Sequence, residues 1–246
     1  ALYAASAGLP CSIVATPALP PIQRRAVESA GAELVFVEDS LERWNLMANM
    51  VAEEASFPAT NFLNPPVGSN HYGVDGLQTI AYELAEDLDG AGIDAVIVPT
   101  SRGDLLWGLA EGFRRLKELR VIDALPRLFA VEPFARISTV LGGRGLNALH
   151  PGTTRLTSIG GSTVTYQAVA ALRATEGRAV VVNEREVFAD QLLLARHGCY
   201  AELSSAAALT GLKSLLGDGT LARSDTVVLL VTSNGYKDAP DAGGSR

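Results

Sequence analysis

The sequence predicts an α/β protein with parallel-rich sheets flanked by helices. Helical and strand-like segments alternate along the chain. The first two strands, Ser12–Ala15 and Glu33–Val37, are separated by a single helix, which is the spacing of a parallel βαβ unit. A third strand, Asp94–Val98, carries a continuous apolar run, as strands covered on both faces do. With 246 residues, 48% of them hydrophobic, the chain can bury a core in one large or two small domains.

The first predicted domain, residues 1–73, is the remainder of a small βαβ domain. It begins with Ala1–Ala7, which resembles the end of a helix without a cap, so we expect an upstream part of the protein. Pro20-Pro21 opens a helix that continues through Ala30, and Leu41–Glu54 is a further helix. Between Ser56 and Gly76 the chain changes character: Asn61–Gly73 is dense in Asn, Pro and Gly, which predicts a loop, and we place the domain crossing at Gly73.

The second predicted domain, residues 74–246, contains a mixed, mostly parallel sheet. Its predicted helices are Thr79–Leu88, Leu105–Leu119, Ser162–Arg173, Glu184–His197 and Ser204–Leu216. Its predicted strands are Asp94–Val98, Arg127–Val131, Ala179–Val182 and Thr226–Val231. The Gly-rich segment Ser138–Thr157 is predicted to be a loop.

Composition argues against several classes of partner. There are 20 Lys and Arg residues against 27 Asp and Glu, a net charge of −7, which disfavours nucleic acid or an anionic membrane surface. No apolar run approaches the roughly 18 residues that span a bilayer. Cys11 and Cys199 are expected to be reduced thiols of a cytoplasmic protein, and the three His residues are not spaced for zinc.

The segment that follows strand Asp94–Val98 is a candidate anion site. Here a buried strand runs through Ser101–Leu105 into a helix, so backbone N–H groups are left free at the helix N-terminus. Ser101 adds a hydroxyl and Arg102 a positive charge. The alternative is an ordinary strand-to-helix turn in which Asp104 is the helix cap.

Polar residues also follow the last predicted strand. Thr232 is the first polar residue after this apolar run, so its hydroxyl should face the crevice where ligands of open α/β sheets bind, although a plain turn residue is the alternative. Upstream, Ser204 or Ser205 could cap the next helix. Glu202 either lines the site or is solvated.

Five short segments carry a resemblance to a known family, and they occur along the chain in the order that the family has them. They are Asn64-Pro65-Pro66 with Tyr72–Glu83, Ser101–Leu105, Ile159–Thr165, Glu202–Ala207 and Thr232–Asp238. Together they resemble the tryptophan-synthase-β superfamily of pyridoxal-phosphate enzymes (fold type II), most closely its threonine synthase branch. Their counterparts there are an "NPY-x-x-EG-x-KTIAYE" segment, a phosphate loop, a substrate-side Gly segment, "EPSSAA" and "TGxGxKD".

The resemblance implies pyridoxal 5'-phosphate as cofactor and an amino acid as substrate. It implies a homodimer and, for the threonine synthase branch, conversion of O-phosphohomoserine and water to threonine and phosphate. The implied phosphate-binding residues are Ser101, Arg102, Gly103, Asp104 and Leu105. Thr232 is implied to meet the pyridine nitrogen. A dehydratase, a diaminopropionate-type ammonia-lyase and a sulfur-transferring synthase are the alternatives within the superfamily.

Two departures from the family pattern affect these expectations. The phosphate loop has a single Gly and contains Asp104, which would repel a phosphate unless it is turned away. The lysines are Lys117, Lys213 and Lys237, and none has the sequence context of the lysine that forms the Schiff base with the cofactor. The chain as given is therefore expected to lack that lysine. A non-catalytic chain or one half of a split enzyme is the rival interpretation.

Overall fold

A computed structural model describes residues 1–63, 67–88 and 92–237. The chain forms two compact units, Ala1–Asn70 and His71–Arg246. The boundary expected from sequence, at Gly73, lies inside the first helix of the second unit, His71–Gly76. Within the described ranges, no helix has both the length and the apolar character needed to cross a bilayer.

The first unit is a small βαβ arrangement. Its helices are α1 (Leu2–Ser6), α2 (Pro21–Ser29) and α3 (Ser40–Glu54), and its strands are β1 (Ser12–Ala15) and β2 (Glu33–Phe36). The two strands pair in parallel, with Ser12 opposite Glu33. Pro21 occupies the first position of α2, where its missing N–H group costs no hydrogen bond. Asp39 caps α3 by accepting hydrogen bonds from the backbone N–H groups of Leu41 and Glu42.

The second unit is built on a parallel sheet of four strands in the order β5-β4-β3-β6. The strands are β3 (Ala95–Pro99), β4 (Arg127–Glu132), β5 (Arg178–Val181) and β6 (Val227–Leu229). Every neighbouring pair in this order is parallel, so the described strands form a parallel sheet rather than the mixed one expected. All five residues of β3 are buried, as the apolar run predicts.

Helices cover both faces of this sheet. They are α4 (His71–Gly76), α5 (Thr79–Asp87), α6 (Asp104–Glu118), α7 (Ile137–Leu141), α8 (Tyr166–Ala174), α9 (Glu184–Arg196) and α10 (Leu203–Gly217). Val96 and Val98 pack into a core with side chains of α5, α6 and α8. Ala95 and Ile97, which point to the opposite face, pack into a second core with side chains of α9 and α10. The predicted α/β class with parallel sheets flanked by helices is confirmed.

Several predicted boundaries are wrong. α4 begins within Asn61–Gly73, the segment predicted as loop, and β6 ends two residues before the predicted Val231. α8 begins at Tyr166 rather than Ser162, because the Thr165 side chain accepts a hydrogen bond from the Ala168 N–H and caps the helix there.

The helix α7 is absent from the sequence prediction, which made Ser138–Thr157 a loop. The N–H groups at the start of α7, which have no partner within the helix, donate to Glu132, the last residue of β4. The Glu132 carboxylate accepts from the backbone N–H groups of Arg136, Ile137 and Ser138 at 2.8–3.1 Å. A carboxylate on a preceding strand is an unusual cap, and local sequence patterns do not reveal it.

Candidate functional site

The candidate site lies at the carboxyl edge of the four-stranded sheet. Ile97 of β3 is opposite Leu229 of β6 in the parallel register. Ser101 follows β3 directly after Thr100, and Thr232 comes three residues after Leu229. Both predicted binding segments therefore leave adjacent strands at the same edge, which is where ligands of open α/β sheets bind.

The turn into α6 is shaped by Gly103. It is the N-cap residue of α6, with φ = 90°, and Asp104 is the first residue of the helix. The alternative in which Asp104 is the helix cap is therefore wrong. A Cβ atom at position 103 would lie 2.5 Å from the Cβ of Ala168, so the turn packs against α8 at a distance that only glycine permits.

Backbone N–H donors of this turn are available to a ligand. In the described part of the chain, no group accepts a hydrogen bond from the N–H of Ser101, Gly103 or Leu105. These groups lie at the N-terminus of a helix of 15 residues, where the helix dipole favours negative charge. The local geometry is that of an anion site.

A second loop, residues 159–163, lies against the turn. The Ser101 hydroxyl donates to the Gly160 carbonyl at 2.9 Å, and the Thr165 hydroxyl donates to the Arg102 carbonyl. Gly161 has φ = 135°, and a Cβ there would be 3.7 Å from Ser101 Oγ. The Gly segment singled out in the sequence thus borders the anion turn.

Arg136 connects the two loops, and sequence reasoning missed it. Its side chain is fully buried, with 0% of its surface exposed. Nη2 donates to the carbonyls of Thr100 and Ile159 at 3.0 Å each, and Nη1 donates to those of Ser101 and Thr163 at 3.2 and 3.5 Å. Burial lowers the pKa of the guanidinium, and the nearby Glu132 carboxylate opposes that shift. An Arg four residues after the end of an apolar strand gave no sequence signal.

The start of α10 extends the network toward Thr232. Glu202 is 3% exposed and accepts a hydrogen bond from the Ser158 hydroxyl, so the solvated interpretation is wrong. Ser204 Oγ accepts from the Ser158 N–H at 3.2 Å. Glu202 is the N-cap residue of α10, which leaves Ser204 and Ser205 inside the helix rather than capping it.

Thr232 is paired with Ser205. Their hydroxyl oxygens are 2.8 Å apart, and the Ser233 N–H donates to Ser205 Oγ at 3.0 Å. The Glu202 N–H also donates to the Ser233 carbonyl at 2.9 Å. The Thr232 side chain is exposed, whereas Ser205 is fully buried. Ser205 therefore holds the Thr232 hydroxyl at the surface of the crevice.

The lysines whose side chains are described lie away from this edge. Lys117 is exposed at the opposite end of α6, and Lys213, near the end of α10, pairs with Asp190 of α9. The Lys237 side chain lies outside what the structure describes, as do Asp238 and the motif residues Asn64-Pro65-Pro66. Gln78 of the same motif is buried in a hydrogen-bond chain with Asp75 and Tyr82.

Residues interpreted as structural behave accordingly. Trp44 is 3% exposed, and Trp107 packs against the core on the α6 face of the sheet. The basic residues predicted to form a solvated helix face are all exposed: Arg114, Arg115, Lys117 and Arg120.

Comparison with known proteins identifies the class of protein that this fold and edge belong to. Residues 1–233 match the family described as "Pyridoxal-phosphate dependent enzyme". The chain belongs to this family, and the family's cofactor is pyridoxal phosphate.

Within the family, the threonine synthase of Mycobacterium bovis is 30% identical over 244 residues, which cover 98% of this chain and 65% of that relative. The chain thus spans about two thirds of the length of this curated relative. Among solved structures, an L-serine ammonia-lyase from Rhizomucor miehei has a TM-score of 0.73 at 20% identity. The superposition covers 94% of this chain and 72% of the ammonia-lyase chain. Serine racemase from Dictyostelium discoideum has a TM-score of 0.71 at 22% identity, and the superposition covers 97% of this chain and 72% of the racemase chain. These two share the fold.

The residues at the carboxyl edge suit this cofactor at two points. The unbonded amides of Ser101, Gly103 and Leu105 suit its phosphate group. A neutral hydroxyl pair, Thr232 and Ser205, suits its unprotonated ring nitrogen. The covalent lysine is not supplied by Lys117 or Lys213.

Proposed function

We propose that the chain belongs to a pyridoxal-phosphate lyase or synthase of the threonine synthase type. Such an enzyme converts O-phosphohomoserine and water to threonine and phosphate. The observation that carries the proposal is the pairing of an anion turn and a neutral hydroxyl at the same carboxyl edge, on adjacent strands. The 30% identity to a threonine synthase over 98% of the chain supports this branch.

In this proposal the turn Ser101–Leu105 binds the cofactor phosphate. The amides of Ser101, Gly103 and Leu105 donate to its oxygens, and the partly buried Arg102 adds positive charge. Asp104 is the first residue of α6. The cofactor, when bound, supplies an electron sink for carbanion chemistry.

Thr232 would hold the cofactor at its ring nitrogen, with the Thr232 hydroxyl as the donor. Ser205 Oγ accepts from the Ser233 N–H, so its own O–H is available to donate to Thr232 Oγ1. Thr232 Oγ1 then has its hydrogen free for a neutral acceptor. Because a hydroxyl cannot protonate the ring as a carboxylic acid would, this arrangement keeps the nitrogen neutral.

Glu202 acts as a positioning residue. It holds Ser158 in the 3-10 turn Thr157–Ile159, which leads directly into Gly160 and Gly161. This segment is the proposed substrate side of the site. An amino-acid substrate bound there lies between the phosphate turn and the start of α10.

Two measurements on the natively expressed protein test this function. Incubation with pyridoxal phosphate, borohydride reduction and peptide mass mapping should give an adduct on one lysine other than Lys117 and Lys213. With O-phosphohomoserine the protein should release inorganic phosphate and threonine. Release of ammonia or a keto acid alone would contradict the threonine synthase assignment and favour a dehydratase. Absence of any adduct would favour a non-catalytic or split chain.

The assembly proposed is a homodimer. Light scattering should therefore give the mass of a homodimer.

A further inference from the structure

We propose that Arg136 is the positioning residue of the anion site, and that it prepares the turn Ser101–Leu105 to bind a phosphate group. This inference rests on the proposed function of that turn. Arg136 does not need to touch the ligand. It acts by fixing the direction of the backbone N–H groups and by placing a buried positive charge behind them.

The directional part follows from peptide geometry. In a planar trans peptide the C=O and N–H bonds point in opposite directions. The Thr100 and Ser101 carbonyls accept from Arg136, and the Arg102 carbonyl accepts from Thr165. The N–H groups of the next residues in these three peptides, at positions 101, 102 and 103, therefore point away from Arg136 and Thr165. Two of these three amides, those of Ser101 and Gly103, are donors that no group of the described chain accepts from, so both can face an anion on the far side of the turn.

The same guanidinium fixes the loop opposite. It donates to the carbonyls of Ile159 and Thr163, which lie on either side of Gly160 and Gly161. The Ser101 hydroxyl closes the arrangement by donating to the Gly160 carbonyl. One side chain thus sets the separation of the phosphate turn and the Gly segment.

The electrostatic part follows from the state of its counter-ion. Glu132 Oε2 is 3.8 Å from Arg136 Nε, and both carboxylate oxygens accept from backbone N–H groups at the start of α7. The carboxylate is thus shared with the α7 terminus, while the two Nη atoms face the loops of the site. Because both side chains are fully buried, their charges are weakly screened by water, and the positive end of the ion pair faces the turn.

The test uses inorganic phosphate and pyridoxal phosphate as probes and compares wild type with Arg136→Lys. Lysine keeps the charge but cannot span four carbonyls, so both probes should bind about tenfold more weakly, as expected for lost charged hydrogen bonds. Arg127→Lys is the matched control, because Arg127 also bonds a carbonyl, that of Thr220, but lies at the other end of β4. It should leave both affinities unchanged. Thr232→Val should weaken pyridoxal phosphate alone.

A second variant separates positioning from folding. Glu132→Gln with Arg136→Gln removes both buried charges together, which proteins often tolerate. If this variant folds and still binds phosphate as wild type does, the inference is wrong. In wild type, the Arg136 guanidinium ¹⁵N resonances should shift when phosphate saturates the protein, and their invariance would also overturn it. Failure of wild type to bind either probe would instead overturn the proposed function.

Discussion

Position 103 requires glycine for two reasons, its backbone conformation and its contact with a neighbouring helix. Its φ of 90° is in the left-handed region, and an added Cβ would lie 2.5 Å from the Ala168 Cβ and 2.9 Å from the Ala168 Cα. The first demand concerns the backbone alone, whereas the second concerns contact with a neighbouring helix. These two contributions can be separated by substitution.

We expect Gly103→Ala to lower the free energy of unfolding by roughly 2–4 kcal/mol, the sum of backbone strain and steric overlap. Gly143→Ala is the control, because φ there is 106° but an added Cβ has no neighbour within 4 Å. It should cost only the backbone contribution, about 1–2 kcal/mol. Urea denaturation measures both. Equal losses in the two variants would show that the turn does not pack against α8 as described.

His150 shows how burial and charge combine at one side chain. It is 4% exposed, Nδ1 is 3.3 Å from the Thr139 hydroxyl, and no hydrogen-bond partner is found for Nε2 in the described residues. Burial lowers the pKa of this imidazole, and the positive charges of Arg144 and Arg136 lower it further. His150 is therefore neutral in the folded protein at neutral pH.

A pH dependence of stability follows. Below pH 6.5, the ordinary pKa of histidine, the unfolded chain takes up a proton that the folded protein does not. The free energy of unfolding should therefore fall as the pH drops below 6.5, by at most about 1.4 kcal/mol per pH unit from this group. His150→Asn should remove this part of the slope in urea denaturation between pH 7 and pH 5. Parallel curves for the two proteins would contradict the prediction.

Gly112 is a point of close approach between α5 and α6. A Cβ at Gly112 of α6 would lie 2.7 Å from the Ala81 Cβ and 2.8 Å from the Gln78 carbonyl oxygen. Ala81 is fully buried at this contact. The helix-breaking residue is tolerated in α6 because it permits the approach of its neighbour.

We expect Gly112→Ala to destabilise the protein by about 1–3 kcal/mol, since overpacking outweighs the gain in helix propensity. Gly217→Ala in the last position of α10 is the control, because an added Cβ there has no neighbour within 4 Å. It should be neutral or stabilising by up to roughly 1 kcal/mol. Thermal denaturation followed by circular dichroism distinguishes the two. A Gly112→Ala protein as stable as wild type would mean that α5 moves freely relative to α6.

The two units of the molecule differ in the core that each contains. Both hydrophobic clusters described above are formed entirely by residues after His71. In Ala1–Asn70, Ala15 and Trp44 are the buried hydrophobic side chains among the described residues, and the sheet has two strands. Two strands with so small a core are marginal in water.

We therefore expect residues 71–246, expressed alone, to fold cooperatively and residues 1–70 to remain largely unfolded. The larger fragment should also bind inorganic phosphate as tightly as the whole chain, because the anion turn and its supporting loops lie within it. Urea denaturation of the fragment and calorimetric titration with phosphate provide the measurements. A larger fragment without a cooperative transition would contradict this expectation.

The order of helices and strands could be predicted from local patterns. Apolar runs locate β3 and β4, and prolines and glycines locate the start and end of α2. These signals come from residues within a few positions of one another, so the sequence alone carries them. The family resemblance, with pyridoxal phosphate as cofactor, likewise depended on short segments and is confirmed by the match over residues 1–233.

The support of the site, in contrast, depends on partners far apart in the chain. Ser101 meets Gly160 across 59 positions, Thr165 meets Arg102 across 63, and Arg136 meets Thr100 across 36. A strand residue, Glu132, starts α7, and a buried Ser205 holds Thr232. No periodicity or turn motif encodes such pairs, because each hydrogen bond exists only after the sheet has brought its carboxyl edges together. Local sequence patterns determined the order of helices and strands and the family resemblance. The tertiary structure alone decided which side chains hold the candidate site in place, because their partners are distant in the chain.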